Sequence, residues 1–557
     1  MMSFLHKRLL PAIFALAMLL SLAGCNSAPQ AETSGDEQQN DAYPYRHALN
    51  MPDDNYRTYY EIFVSSFYDS DADGTGDLNG VAQKLDYLND GDDTTDSDLG
   101  FTGIWLMPIM PSPTYHKYDV TDFCDVDPSY GTLEDFQSLL AECHARGIKL
   151  IIDFPFNHTS AQHPWFTEAV QYYESLAEGE QPDYSVCPYA SYYHFSTEKA
   201  GATGWYQVGA TEWYYEGVFW DQMPDLALEN ELVRSELEAA ASFWLEMGVD
   251  GFRLDAVKEY VSGSTSSNIE ILSWFNQYVL SVNPDAYLVG EAWETSPVTL
   301  SAYYKSGVAS FFDFPLAQAT GSIATMVNRG TGAKLASLLT QSETIYGAID
   351  PSFIDAPFLS NHDTSRISAH YVNDLSKMKL AAGILLTMNG TPFVYYGEEI
   401  GMNSKGTKDE NKRLPMHWSD TDLTGTPLPP EGADDVEQKF LALDLQMDDP
   451  LSLYSYYKRA LRIRNENPEI ARGALDVAQP LVSDTICAVT KTYQDSTLLL
   501  VYNIGTEEAD VVLAGSGYDA FALYGYLTID ETPVTLTDGA LSLPAYAIAV
   551  LGCVSKA

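Results

Sequence analysis

Eight short apolar runs, each long enough for a buried strand, recur along most of the chain and alternate with segments of helical periodicity. The runs occupy residues 58–67, 103–109, 149–156, 251–255, 286–293, 309–315, 353–363 and 391–401. Residues 133–147, LEDFQSLLAECHARG, show the helical pattern that follows most of these runs. Apolar strands that alternate with helices are typical of a parallel sheet covered on both faces. The pattern predicts an α/β fold, a (β/α)8 TIM barrel whose site lies at the carboxyl ends of its strands.

The chain has 557 residues, which is too long for one ordinary domain. Between the third strand and a helix predicted at 231–247 lies a stretch rich in Tyr, Trp, His and Pro, too long for a plain loop. After a last helix predicted at 452–468, short alternating segments such as TLLLVYNI indicate antiparallel strands. We predict a barrel at 44–156 and 226–469, an inserted domain at 157–225 and a C-terminal antiparallel β-sandwich at 470–557.

The amino-terminal residues have the pattern of an export signal. Lys7 and Arg8 precede an apolar stretch that is too short for an ordinary membrane-spanning helix, and Leu22-Ala23-Gly24-Cys25 follows. This arrangement resembles a bacterial lipoprotein signal at 1–24, with Cys25 as the lipid-bearing first residue; the alternative is a cleaved secretory signal. Residues 25–43 are polar without periodicity and are expected to form a flexible tether. The sequence therefore predicts an extracellular lipoprotein of the bacterial cell envelope that meets the membrane only through Cys25.

The charge of the chain limits its partners. Lys and Arg together number 30 against 78 Asp and Glu, so the formal net charge is −48. Such a charge argues against nucleic acid and anionic lipid as partners. Of the 6 cysteines, five remain besides Cys25, and no CxxC pair suggests zinc. Cys487 and Cys553 are interpreted either as a disulfide pair or as small buried residues.

Four strand-like runs end in polar groups rather than in plain turns. They are DFPFNH at 153–158, GFRLDAVKE at 251–259, GEAW at 290–293 and FLSNHD at 358–363. Polar groups at the carboxyl ends of barrel strands indicate a site. Acidic groups from separate strands can there approach one another.

Two of these acids suit the cleavage of a glycosidic bond with retention, which needs a carboxylate nucleophile and a carboxylic acid. Arg253 and Asp255 are two residues apart, so on a strand their side chains point to the same side. The Arg charge would keep Asp255 ionised, as a nucleophile requires. Glu291 ends another strand, and Trp293 beside it could exclude water and raise the pKa of the carboxyl group.

In this order and at these spacings, the four segments resemble the signature regions of the α-amylase superfamily, family 13 of the glycoside hydrolases. The resemblance covers most of the chain and implies an inserted domain B, a terminal domain C and retaining chemistry on α-glucans. It implies Asp255 as the nucleophile, Glu291 as the general acid and base, and Asp363 as a third acid that bonds sugar hydroxyls. His158 and His362 match two histidines that bond the sugar at the cleavage site.

Three further positions bear on how the sugar is held. Tyr118 matches the family tyrosine that stacks under the sugar ring. Lys117 stands where the family more often has Gly, so the loop is expected to differ locally. Tyr115 occupies a position where exo-acting α-glucosidases of the family tend to have Asp, and a tyrosine there resembles the endo-acting amylases.

Other positions match different branches of the superfamily. Lys258 matches a lysine with which amylases hold the sugar on the leaving-group side, but Glu259 stands where most amylases have His. MPDLALEN at 223–230 resembles a region of the oligo-1,6-glucosidase and neopullulanase branches, and KRLPMHWS at 412–419 resembles the oligo-1,6-glucosidase side. The chain therefore resembles enzymes intermediate between these branches.

An acidic loop follows the first strand and predicts a structural Ca²⁺ site. Residues 69–77, DSDADGTGD, place oxygen ligands at alternate positions, and uncompensated carboxylates there would repel one another. The loop is not an EF-hand, because Gly80 stands where that motif needs Glu. Many superfamily members hold calcium with such a loop, and Asn157 matches a ligand of another calcium site. The predicted metal ligands are Asp69, Asp71, Asp73, Thr75, Asp77 and Asn157.

The sequence thus predicts a retaining α-glucan hydrolase, in the first place an α-amylase that cleaves internal α-1,4 bonds of starch or maltooligosaccharides. The alternatives are an oligo-1,6-glucosidase or neopullulanase-like hydrolase and a related transglycosylase. A non-catalytic glycan-binding lipoprotein is a further alternative, against which the intact acids Asp255, Glu291 and Asp363 argue. We expect a monomer whose partner is the glucan.

Overall fold

The computed structural model describes residue 49 and residues 53–553, apart from residues 200, 202 and 405. The predicted signal at 1–24, the tether at 25–43 and Cys25 lie outside the described residues. All described residues belong to one compact unit.

The strands of the described chain are, in order, β1 (Tyr59–Ile62), β2 (Gly103–Leu106), β3 (Lys149–Phe154), β4 (Phe195–Ser196), β5 (Trp205–Gln207), β6 (Tyr214–Glu216), β7 (Gly251–Leu254), β8 (Tyr287–Gly290), β9 (Ser310–Phe311), β10 (Phe393–Tyr395), β11 (Ala474–Val477), β12 (Ile486–Tyr493), β13 (Ser496–Asn503), β14 (Ala509–Val512), β15 (Phe521–Leu527), β16 (Thr535–Thr537), β17 (Ala540–Leu543) and β18 (Ile548–Cys553).

The α-helices of the described chain are α1 (Leu78–Gln83), α2 (Leu85–Leu88), α3 (Leu133–Ala145), α4 (Pro164–Ser175), α5 (Glu231–Met247), α6 (Thr265–Val282), α7 (Pro297–Ser301), α8 (Ser322–Arg329), α9 (Gly332–Leu339), α10 (Gln341–Ile345), α11 (Ile367–His370), α12 (Leu375–Thr387), α13 (Leu443–Met447), α14 (Leu453–Glu466) and α15 (Glu469–Arg472). Among the described residues, no helix combines the length and the apolar character needed to cross a bilayer.

A parallel barrel forms the centre of the molecule. Its strands lie in the order β10-β1-β2-β3-β7-β8-β9, and seven of the eight predicted runs supply them. The run at 353–363 makes only isolated parallel bridges, from Ala356 to Phe312 and from Phe358 to Phe393. Pro357 lies between these bridges and has no N–H to donate, which explains the irregular pairing. These bridges join β9 to β10, and the predicted (β/α)8 barrel is confirmed.

Aromatic residues fill the inside of the barrel. Tyr59 of β1 stacks on Tyr287 of β8 at 5.4 Å and on Phe393 of β10 at 5.0 Å. Tyr60, the next residue, belongs instead to the larger apolar layer between strands and helices. This alternation follows from the two-residue period of a strand. The packed interior leaves the strand ends as the place for a site.

The insertion between β3 and α5 is a small unit of its own. It contains α4 and a three-stranded antiparallel sheet in the order β4-β6-β5. Asn230 caps the amino terminus of α5 through a bond from the Leu232 N–H at 2.9 Å, and the chain there returns to the barrel. The predicted insertion after the third barrel strand is confirmed.

Two antiparallel sheets form the carboxyl-terminal part. One has the order β11-β12-β13-β18-β15 and the other the order β14-β17-β16. Apolar residues of both sheets, such as Leu499 and Leu541, share one buried cluster, so the two sheets pack as a sandwich. Cys487 is buried and Cys553 is exposed, and both are free thiols. The disulfide that the sequence allowed is therefore not formed.

Candidate active site

Two predicted catalytic carboxylates leave adjacent barrel strands at the same level. β7 and β8 run parallel, and Leu254 is in register with Gly290 at their carboxyl ends. Asp255 and Glu291 are the next residues, and the Glu291 N–H donates to the Leu254 carbonyl at 2.9 Å. The strand register therefore brings both carboxyl groups to one edge of the barrel.

A single buried guanidinium joins three of the acids. Arg253, which is 1% exposed, bonds Asp153 Oδ1 at 2.9 Å and Asp255 Oδ1 at 2.5 Å through Nη1. Its Nη2 lies 3.1 Å from Glu291 Oε1. Charge-assisted bonds of this kind fix the direction of a carboxylate as well as its charge. The prediction that Arg253 and Asp255 share one side of a strand agrees with this contact.

The pKa of the Glu291 carboxyl group is raised by its surroundings. Burial raises the pKa of Glu291 to about 8, although the Arg253 charge acts in the opposite direction. The Ala256 N–H donates to Glu291 Oε2 at 3.1 Å. A carboxyl group with this pKa carries its proton near neutral pH, as a general acid must.

Asp363 is held by two cations. His362 Nε2 lies 2.9 Å from Asp363 Oδ2, and Arg413 Nη2 lies 2.9 Å from Asp363 Oδ1. Burial alone would raise the pKa of Asp363, but the charges of His362 and Arg413 hold it below its usual range. Burial would lower the pKa of His362, but Asp363 and Glu61, whose Oε1 is 2.6 Å from Nδ1, raise it to about 9. His362 is therefore an imidazolium at neutral pH.

Tyr118 and His158 complete the buried floor of the site. The Tyr118 ring stacks on His362 at 5.6 Å, and its hydroxyl bonds Asp153 Oδ2 at 2.9 Å. His158 Nε2 lies 3.2 Å from the Tyr118 carbonyl oxygen. Burial lowers the pKa of His158, so this ring is neutral. Burial also lowers the pKa of His116, which lines the same cleft, to about 4, so His362 is charged while His116 and His158 are neutral at neutral pH.

These groups open onto a cleft of about 420 Å³ at the carboxyl ends of the strands. Its lining residues are His116, Tyr118, His158, Phe219, Met223, Asp255, Ala256, Glu291, Trp293, Asp363, Asp409 and Arg413. All three predicted catalytic acids reach the cleft.

Of the remaining predicted sugar-binding residues, Trp293 lines the cleft and the others lie behind it or near it. Arg253 and His362, both 1% exposed, support the lining residues from below. Tyr115 does not line the cleft; its hydroxyl accepts a bond from Arg413 Nη1 at 3.2 Å. Lys258 is bound to the loop after β8, with its Nζ 3.0 Å from the Trp293 carbonyl oxygen. Trp293 lines the cleft, is 40% exposed and stacks on Phe314 at 4.7 Å.

Lys117 occupies a glycine-like backbone position in the loop that carries Tyr118. Its backbone has φ +65°, a left-handed conformation that favours glycine. Its Nζ bonds Asp127 Oδ2 at 2.7 Å in a buried ion pair. The side chain thus makes a contact that glycine could not make, at a position where the backbone would suit glycine.

The acidic loop after β1 gathers three of its predicted ligands. Carboxyl oxygens of Asp69, Asp71 and Asp77 all lie within 4.8 Å of one another. Asp73 is not in this group, and its Oδ1 accepts a bond from the Thr75 N–H at 2.7 Å. A set of hard carboxylate oxygens fits Ca²⁺.

Asn157 lies at the junction of the barrel and the insertion, apart from the three-aspartate group. Its Nδ2 donates to Asp225 Oδ1 at 3.0 Å. Its Oδ1 is buried and has no hydrogen-bond partner among the described residues. A carbonyl oxygen of this kind, next to a carboxylate, fits a cation or a water molecule.

Sequence reasoning missed part of the cleft. Arg413 lies inside the segment 412–419, which was interpreted only as a mark of one branch. Met223 begins the segment 223–230, and Phe219 stands just before it. The sequence signal at Arg413 and Met223 is the resemblance of both segments to known branches, which does not itself indicate contact with the site. Their contact with the site depends on long-range folding.

Comparison with known proteins agrees with this site. The family model described as "Alpha amylase, catalytic domain" matches residues 61–473. Alpha-amylase 3 of Dictyoglomus thermophilum is 38% identical over 478 residues, which cover 83% of this chain and 88% of that protein. The solved structure of Eubacterium rectale Amy13B has a TM-score of 0.87 and 42% identity, and the match covers 92% of this chain and 98% of that one.

A relative of another branch is more distant. An oligo-1,6-glucosidase of Parageobacillus thermoglucosidasius is 28% identical over 536 residues, with 80% of this chain and 89% of that protein covered. The extent of the family match and these sequence identities assign the chain to a family. It belongs to the α-amylase family and is a glycoside hydrolase.

Proposed function

We propose that the protein is a retaining α-amylase that cleaves internal α-1,4 bonds of starch and maltooligosaccharides. The carrying observation is that the Arg253 guanidinium contacts both Asp255 and Glu291 and that burial raises the pKa of Glu291 to about 8. Glu291 can therefore act as the acid, and Asp255, bonded to the Arg253 cation at 2.5 Å, is placed to act as the nucleophile of a retaining reaction.

In the proposed reaction, the Asp255 carboxylate attacks the anomeric carbon while Glu291 gives its proton to the leaving glycosidic oxygen. The bond to the leaving sugar breaks, and a glycosyl ester forms on Asp255. Glu291 then takes a proton from water, whose oxygen attacks the same carbon and releases Asp255. Asp363 accepts hydrogen bonds from sugar hydroxyls, and Arg413 and His362 keep it ionised for this purpose.

A second candidate is cleavage of α-1,6 bonds in short oligosaccharides. The segment 223–230 and the 28% identity to an oligo-1,6-glucosidase favour it. The higher identity to an α-amylase, 38%, favours the α-1,4 specificity. Transglycosylation would follow from the same glycosyl ester if a sugar hydroxyl replaced water.

The experiment is to incubate the protein without residues 1–43 with maltoheptaose, soluble starch, panose and pullulan in parallel. We expect mixed maltooligosaccharides from the first two and no attack on panose. Rapid glucose release from panose would move the protein to the α-1,6 branch.

Replacement of Asp255 by Asn tests the nucleophile. The change should lower kcat by at least about 1,000-fold, because no carboxylate remains to form the ester. Binding of maltoheptaose should persist. Asp285→Asn is the matched control, since Asp285 is exposed before β8, at the other end of the strand. Substantial turnover by Asp255→Asn would contradict the assignment.

We also propose that Ca²⁺ stabilises the loop at 69–77, held by Asp69, Asp71 and Asp77. Chelation should lower the melting temperature, and Asp71→Asn should lower the bound calcium measured by elemental analysis. Asp92→Asn, in another exposed acidic loop, is the control. An unchanged melting temperature with no bound calcium would count against the site.

The proposed setting is the outer surface of a bacterial cell envelope, with a monomer anchored through lipid on Cys25. The signal-like pattern of residues 1–24 supports this. Labelling with radioactive palmitate should mark the protein, and Cys25→Ser should abolish the label and release the protein from membranes.

A further inference from the structure

A histidine outside the cleft joins three segments of the insertion and its return to the barrel. His194, directly before β4, has its Nδ1 2.8 Å from Glu216 Oε2. Its Nε2 lies 3.0 Å from Glu229 Oε1. Glu216 ends β6, and Glu229 precedes α5. One ring thus connects elements that are separate in the sequence.

The geometry requires this ring to carry a positive charge. Ionised carboxylates only accept hydrogen bonds, whereas a neutral imidazole has a single N–H. Because both nitrogens of His194 face carboxylates, both must donate. The charged groups that face the ring are Glu216 and Glu229, with Asp225 also near. Burial opposes the charge, but the two glutamates raise the pKa of His194 to about 10.

The same residues hold the two ends of a loop that lines the cleft. The loop at 217–224 begins after Glu216 and ends before Asp225. The Asp225 N–H donates to the Glu216 carbonyl at 3.0 Å, and the Val218 N–H donates to Asp225 Oδ2 at 2.8 Å. The Glu216 N–H donates to the His194 carbonyl at 3.1 Å. The base of the loop is therefore bound directly to the histidine.

The loop brings side chains to the substrate. Phe219 and Met223 line the cleft, and the Phe219 ring lies 5.3 Å from that of His158. Phe219 is 48% exposed. On the barrel side, the Ala161 N–H donates to the Gln222 carbonyl at 2.8 Å and the Thr159 N–H to the Pro224 carbonyl at 3.1 Å. The base of the loop and the segment after β3 together hold the ring in position.

We propose that His194 is a positioning residue, which clamps Glu216 to Glu229 and so holds the loop at 217–224 against the cleft. The proposal rests on the proposed function, because it assigns to the loop a role in binding the α-glucan. Loss of the clamp weakens substrate binding and leaves Asp255 and Glu291 in place, since β7 and β8 carry these two acids independently of the insertion.

The first test is the steady-state hydrolysis of maltoheptaose by His194→Gln. We expect KM to rise about 5- to 10-fold while kcat changes less than about 3-fold. Glu229→Gln removes the negative charge on the exposed side of the same contact, and KM should again rise more than kcat changes. His144→Gln is the matched control, because His144 Nε2 pairs with Asp250 Oδ2 at 2.7 Å before β7, away from the cleft. It should leave KM unchanged.

The second test needs no activity. Chymotrypsin cuts after aromatic residues, and Phe219 and Trp220 are the exposed ones in the loop. Cleavage there, followed by mass spectrometry, should be faster in His194→Gln and Glu229→Gln than in the wild type or His144→Gln. Unchanged cleavage would overturn the clamp.

The two tests separate the possible failures. Faster cleavage with an unchanged KM would overturn the binding role of the loop. A wild-type protein that hydrolyses no α-glucan would defeat the proposed function, and cleavage alone would then decide whether His194 holds the loop.

Discussion

At the scale of single residues, the raised pKa of Glu291 predicts the pH dependence of the reaction. The general acid must be protonated, so activity is full below its pKa and falls as the pH rises through it. Burial places that pKa at about 8 in the free protein. We expect kcat/KM for maltoheptaose, measured between about pH 5 and about pH 10, to decline with a midpoint near this value.

The matched variants identify the group responsible. Glu291→Gln should lower kcat by about 1,000-fold and remove the alkaline decline, because its amide cannot titrate. Glu294→Gln should keep the decline, since Glu294 pairs with Lys258 near the cleft and is not placed in proton transfer. A midpoint near the ordinary glutamate value would contradict the assignment of Glu291.

At the scale of elements, the pairing of β7 with β8 depends on a glycine. Gly251 has φ +149°, and a Cβ added there would lie 1.9 Å from the Tyr287 carbonyl oxygen. The two residues are in register at the start of both strands. Gly251→Ala should therefore separate the strands that carry Asp255 and Glu291. We expect a loss of about 3 kcal/mol or more in stability to urea, with loss of hydrolysis.

Gly263→Ala is the control for backbone strain. Gly263 has φ +77° and no atom within 4 Å of an added Cβ. Alanine there should cost only about 1 kcal/mol, and the enzyme should stay active. Equal losses of stability in the two variants would show that the close contact between Gly251 and Tyr287 does not determine the cost of the substitution.

At the scale of the whole molecule, the barrel could be predicted because its signal is local. Each strand is a continuous apolar run, and the ends of those runs carry Asp255, Glu291 and Asp363. The irregular pairing of the seventh run, at 353–363, could be anticipated only in part. Its one local sign is Pro357, which lies within an otherwise strand-like run. Parallel pairing then brings residues at strand ends together without any knowledge of loops.

The rest of the cleft could not be predicted because loops without periodicity supply it. Arg413 follows the last barrel strand and reaches Asp363 across 50 residues of sequence. Phe219 comes from the insertion, where contacts between short segments, such as those of His194 outside the cleft, decide the path of the chain. Residue 117 has a left-handed backbone, which a glycine in the sequence would have indicated and a lysine does not.

The net charge gives the last prediction, which concerns the molecule as a whole. The formal net charge is −48, so the excess negative groups repel one another, and this repulsion destabilises the compact state. Salt shortens the Debye length from about 30 Å at 0.01 M to about 8 Å at 0.15 M. The melting temperature, measured with excess Ca²⁺, should therefore rise with NaCl, and most of the rise should come within this range. Surface ion pairs weaken as well, but each contributes at most about 1 kcal/mol. Sucrose at equal osmolality is the control, and a melting temperature that fell with salt would mean that attraction between the charges outweighs their repulsion.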